Sequence, residues 1–151
     1  MCSSDLNEKD YDKSNKIKAV SLNRFSKTDY KNLLLDDGDR QKLAQALVDY
    51  LCVKFRIPRA LVIVTNKPQP HTTGYSGRLK SKTFGFYKPI LREITIYNTT
   101  AVRKQTVSIK VFADTLLHEF MHHYDTFYLK IKSMHTEGFY KRISDLERKL
   151  S

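Results

Sequence analysis

The sequence predicts an α+β domain: an N-terminal helix, a small antiparallel sheet, and two further helices toward the C-terminus. Two patterns predict it. Apolar residues recur at helical spacing in three separated segments, and between the first and second of these lie short runs rich in β-branched and aromatic residues, punctuated by Gly and Pro. With 151 residues, 40% of them hydrophobic, one domain of this kind can bury a core.

Along the chain, the opening MCSSDL reads as the translated end of a sequencing adapter, so residues 1–6 enter no functional argument. Residues 7–36 are polar and poorly periodic, and a flexible N-terminal arm is expected over 1–36, ahead of a domain at 37–151. In DDGDRQKLAQALVDYLCVKFRIP, Leu43, Leu47, Tyr50, Leu51 and Phe55 form one helical face, with aspartates ahead and Pro58 behind. ALVIVTN reads as a buried strand closed by KPQP, and TFGFY and EITIYN as strands of a small antiparallel sheet within 72–98. Ile109, Phe112, Leu116, Phe120, Phe127 and Ile131 predict one helix from about Val107 to Lys130. Phe139, Ile143, Leu146 and Leu150 predict a last one.

Composition narrows the functional classes. The longest apolar runs are too short to span a bilayer and no secretory signal is recognisable, so no membrane association is expected. Two cysteines, Cys2 and Cys52, cannot form a disulfide framework, which leads to the expectation of a cytoplasmic setting. The net charge of +11 is uneven: residues 77–110 hold eight Lys/Arg against one Glu. Such a block either solubilises the domain or attracts a polyanion, and its Phe84, Phe86, Tyr87 and Tyr97 suit base stacking as well as strands.

Four of the five histidines fall between 118 and 135, and HEFMH places His118 and His122 at i and i+4 inside the second predicted helix. That spacing puts two imidazoles on one helix face, where they can share an ion. Glu119, offset by about 100°, can instead reach a water on that ion. In a chain of this composition the pattern arises by chance about 0.005 times, so it is a strong indication of one zinc per chain. Catalytic zinc takes three protein ligands and keeps one position open. A metzincin would need Gly at 125 and His at 128, where Asp125 and Tyr128 stand. The third ligand is then Glu137, as in gluzincins, or His135, thirteen residues beyond His122.

LLHEFMHH followed by HTEGF resembles the SprT-like metallopeptidases, which include the DNA–protein crosslink protease Spartan. The resemblance spans mainly residues 112–143. It implies a small zincin-like domain with zinc held by His118, His122 and His135, because the family's third histidine opens an H-G-P-E-F segment whose His-to-Phe spacing His135 and Phe139 keep. Glu119 would be the general base. Thr136 and Glu137 depart from that segment, which keeps Glu137 in view as a ligand, and the cysteine pattern of the family's zinc ribbon is missing.

The expected activity is hydrolysis of peptide bonds in a polypeptide substrate laid along a sheet edge from 72–98, with weak, non-specific DNA binding through the basic block. The alternatives are a nucleic-acid-associated module with a structural or latent zinc site, and a hydrolase of a non-peptide amide. Tyr75, Tyr87 and Tyr124 are candidate oxyanion donors. Asp125 either orients His122, or caps the helix or is simply solvated, while Asp114 and His71 are expected to be bystanders and His123 a packing residue.

Overall fold

The computed structural model describes residues 3–73 and 79–151, without the side chains of 3–7 and 79–81. Five α-helices and five strands follow in the order α1 (Ser3–Lys16), α2 (Thr28–Leu35), α3 (Arg40–Phe55), β1 (Leu61–Pro68), β2 (His71–Thr73), β3 (Leu79–Lys82), β4 (Gly85–Lys88), β5 (Glu93–Thr99), α4 (Ile109–Tyr124) and α5 (Glu137–Leu150). The domain is α+β, as the periodicity predicts.

Helix α3 starts where Asp39 accepts a hydrogen bond from the Gln41 N–H and ends at Arg56 in the left-handed region, just ahead of Pro58. Its buried face, Leu47, Val48, Leu51 and Phe55, joins Val62 of β1, Ile94 and Ile96 of β5, and Phe112, Leu116 and Phe120 of α4 in one apolar cluster. Ser108 caps α4 by accepting from the Val111 N–H, which starts that helix two residues later than the apolar pattern suggests.

The main sheet is mixed, with strand order β1–β5–β4. Strands β4 and β5 form the expected antiparallel pair, but β1 joins the other side of β5 in parallel. The antiparallel pairing expected within 72–98 is present, and the parallel partner β1 is added to it, because the alternation within a strand does not encode which neighbour it takes. Strands β2 and β3 form a separate antiparallel hairpin.

The two edges of the main sheet differ. Along β1, Gln41 donates to Val62 O and accepts from Val64 N–H, while Gln45 donates to Ala60 O and accepts from Val62 N–H. These two amides, one helical turn apart, cover that edge from Ala60 O to the Val64 N–H. Strand β4 has no such cover among the described residues. The Tyr97 N–H donates to Phe84 O, so by antiparallel alternation Phe86 and Lys88 also point their backbone groups at β5. Those of Gly85 and Tyr87 face outward. Gly85 also lets β4 lie close to its neighbours: a Cβ there would stand 2.6 Å from Thr95 O and 3.0 Å from Thr115 Cγ2 of α4.

Two expectations are corrected. Residues 1–36 were expected to form a flexible arm; the described part carries α1 and α2, and Val20, Tyr30 and Leu33 are buried. No periodicity announces this because polar contacts do much of the holding: Arg142 donates to the carbonyls of Ser14 and Ile17. The helix expected to run to Lys130 stops being α-helical at Tyr124. A single π-helical turn, Asp125–Leu129, follows and ends at Lys130 in the left-handed region. This wider turn leaves Asp125 fully buried.

Candidate metal centre

Helix α4 presents His118 and His122 on one face, and the segment after the π turn brings His135 back over them. The imidazole nitrogens of the three that could ligate one ion lie within 4.8 Å of one another. His135 Nε2 stands 3.2 Å from His118 Nε2 and 3.0 Å from His122 Nε2. Nitrogens around a tetrahedral zinc at about 2.05 Å are separated by about 3.3 Å, so the spacing suits one such ion. Phe139 packs beneath all three rings, with centroids 5.1, 4.7 and 5.2 Å from His118, His122 and His135.

Hydrogen bonding assigns the tautomer of His122. Ser133 donates its hydroxyl to Asp125 Oδ2 at 2.8 Å, so its oxygen accepts from His122 Nδ1–H at 2.7 Å. The proton is therefore on Nδ1 and a lone pair remains on Nε2, facing His135. One proton on His135 Nε2 would have to serve two neighbours, whereas a cation satisfies all three rings. Burial, then the neighbouring imidazoles, push His118 down to about 4 and His122 to about 3. Both are neutral, as ligands must be.

His123 has the opposite arrangement. Its Nε2–H donates to Pro58 O at 2.6 Å and its Nδ1 accepts from the Tyr87 hydroxyl at 2.6 Å. Both nitrogens are occupied in the core, and His123 is a packing residue.

Glu119 is 6% exposed and, with His118 and Gly85, lines two clefts that meet at this point. One cleft, of about 490 Å³, runs past Lys82, Phe84, Val111 and Asp114; the other, of about 590 Å³, runs past Tyr87, Pro89, Ile131 and Ser133. Burial pushes the Glu119 carboxyl up to about 7, the range in which a carboxylate works as a base near neutral pH. Glu137 lies elsewhere. It opens α5 fully exposed and pairs with Lys141 at 2.9 Å.

The replacements after His135 have local roles. Thr136 caps α5 by accepting from the Phe139 N–H, and its hydroxyl meets Ser14 Oγ at 2.8 Å. Gly138 lies against the carbonyls of Ser14 and Asn15, where a Cβ would collide.

The other singled-out residues are placed as follows. Tyr124 is in the core, its hydroxyl accepting from Ser21 N–H, Tyr87 is committed to His123, and Tyr75 lies outside the described residues. Asp114 lines the first cleft and pairs with Lys110, His71 is exposed on β2, and Cys52 is buried, which pushes its thiol up to about 11. Sequence reasoning missed three residues. Ser133 and Arg142 complete the contacts behind His122, and Tyr140, half exposed, places its ring 6.1 Å from His118 and 5.9 Å from His135. Only the position of Tyr140 in the first turn of the helix that follows His135 could have suggested it.

Compared with known proteins, the chain matches no family model, no curated protein and no solved structure. No helix among the described residues is long and apolar enough to cross a membrane.

Proposed function

We propose that this chain is a zinc-dependent metallopeptidase of the SprT-like type. The observation that carries the reading is the three-imidazole cluster beside a buried glutamate at the junction of two clefts. His118, His122 and His135 would hold the ion. Bound there, zinc would supply Lewis-acid polarisation of a carbonyl and acidify a water. Glu119 is the general base and then returns the proton to the leaving amine. Tyr140, the tyrosine beside the imidazoles whose hydroxyl has no partner among the described residues, donates to the oxyanion.

The free sheet edge supports a polypeptide substrate. With β1 covered from Ala60 to Val64 by Gln41 and Gln45, an extended polypeptide finds backbone groups at Gly85 and Tyr87 that have no partner among the described residues, beside His118 and Glu119. A small amide would have no use for that edge. The deciding experiment is cleavage of a casein-like substrate by zinc-loaded protein. Glu119→Gln should keep zinc and lower the rate by at least about 100-fold, and Tyr140→Phe should lower kcat by about 100-fold with zinc retained. Wild-type rates in Glu119→Gln would remove the proposed mechanism.

A second reading, weak DNA binding by the same domain, is favoured by two cation–aromatic pairs near the clefts. Lys82 Nζ stands 5.0 Å from the Phe84 ring centroid and Lys88 Nζ 5.5 Å from that of Phe86. Fluorescence anisotropy with single-stranded oligonucleotides should show binding at low salt that weakens steeply as salt rises and drops in Lys82→Glu/Lys88→Glu. Binding indifferent to salt or to both reversals would contradict it.

A further inference from the structure

Behind His122 runs a chain of side chains that ends on the N-terminal segment. His122 Nδ1–H donates to Ser133 Oγ, Ser133 donates to Asp125 Oδ2, and Arg142 donates from Nη2 to the same oxygen at 2.9 Å. Through Nη1, Arg142 also donates to Ser14 O at 2.5 Å and Ile17 O at 2.6 Å, and through Nη2 to Ser14 Oγ at 3.1 Å. Asp125 and Arg142 are both completely buried.

The same N-terminal stretch grips the loop that carries His135. Lys13 Nζ donates to Leu129 O, the Lys132 N–H donates to Asp10 Oδ2, and the hydroxyls of Ser14 and Thr136 are hydrogen-bonded. Residues 10–17 therefore act as a strap across the loop between the π turn and α5. Ser14 is the common point: it meets Thr136, next to His135, and through Arg142 it connects to His122.

A buried ion pair is poor evidence for a stabilising role, since apolar residues of similar volume often serve as well. This one also leaves Asp125 Oδ1 and Arg142 Nε without partners among the described residues, which adds to its cost. What an apolar pair could not do is orient an imidazole and bind backbone carbonyls at once. We infer that Arg142 is a positioning residue for the metal centre: through Asp125 and Ser133 it orients His122, and through the Ser14 and Ile17 carbonyls it couples that centre to the N-terminal strap.

Coupling of this kind is reciprocal: if strap docking favours metal binding, metal binding favours strap docking by the same factor. Two measurements test it. Zinc affinity is read by competition with a chromophoric chelator in the wild-type chain, Ser133→Ala, Arg142→Met and Arg142→Lys, with folding checked by near-UV circular dichroism. Hydrogen exchange of residues 10–22 is followed with and without zinc.

Ser133→Ala leaves the buried ion pair intact and should fold, yet it should bind zinc about 10- to 100-fold more weakly. Arg142→Met should lose as much, and combining it with Ser133→Ala should add little, because both cut one chain of contacts. Arg142→Lys should recover part of the loss. Zinc should slow exchange of the strap in the wild type, and by less in Ser133→Ala. Should Arg142→Met fail to fold, Ser133→Ala and the wild-type exchange still decide. Zinc affinity within twofold of wild type in folded Ser133→Ala, or a strap indifferent to zinc, overturns the inference. It rests on the zinc reading: a wild-type chain that binds no zinc overturns both, whereas a zinc-binding chain with indifferent variants overturns this inference alone.

Discussion

His118, His122 and Glu119 carry the pH dependence of the metal-free chain, with opposite signs. In the unfolded chain the two imidazoles take up protons near pH 6.5, but in the folded chain only near 4 and 3. As pH falls below 6.5 the unfolded state binds more protons, so their contribution to stability is lost down to those lower values. Glu119 titrates near 7 when folded and 4.5 when unfolded, so it favours the folded state as pH falls through that interval. His123, held down by burial, and Asp125, held up by it, add one group to each side. Two strongly shifted imidazoles against one carboxyl leave a net loss between about pH 6.5 and 4.5. Urea denaturation of chelator-treated protein should therefore show a midpoint that falls across this range. A midpoint that rises on acidification would contradict the burial of these rings.

Among the elements, β4 and α4 have to lie side by side for the clefts to meet at Glu119. Gly85 permits that approach, since a Cβ would press on Thr95 O and Thr115 Cγ2. Gly85→Ala should cost about 1–3 kcal/mol by overpacking and, by pushing the strand outward, should raise KM for an extended substrate while zinc binding holds. Unchanged stability together with unchanged KM would mean that the edge has room to spare. The long elements were legible in the sequence. The stripe from Leu43 to Phe55 is α3, the run beginning at Leu61 is β1, and the apolar face from Ile109 is α4. The end of α4 was not legible, because Phe127 and Ile131 continue the α-helical spacing, whereas the π turn bonds i to i+5, shifts the register and buries Asp125 and Leu129. Nor was the parallel pairing of β1 with β5, which depends on a crossover rather than on either strand's own pattern.

For the whole molecule, the polar contacts between sequence-distant segments are what the sequence concealed. His118, Glu119 and His122 stand out because helical spacing alone brings them together. Ser133 and Arg142 follow no spacing rule relative to His122, and their role emerges only when the π turn, the loop before α5 and the strap of residues 10–17 converge. The same convergence puts His135 at the centre and Glu137 outside it, paired with Lys141. Elemental analysis of the purified protein therefore tests the central claim most directly, run on wild type beside His122→Ala, His135→Ala and Glu137→Ala. The account predicts about one zinc per chain in the wild type and in Glu137→Ala, and almost none in the two histidine variants. A zinc-free wild type, or full zinc in His122→Ala and His135→Ala, would contradict it.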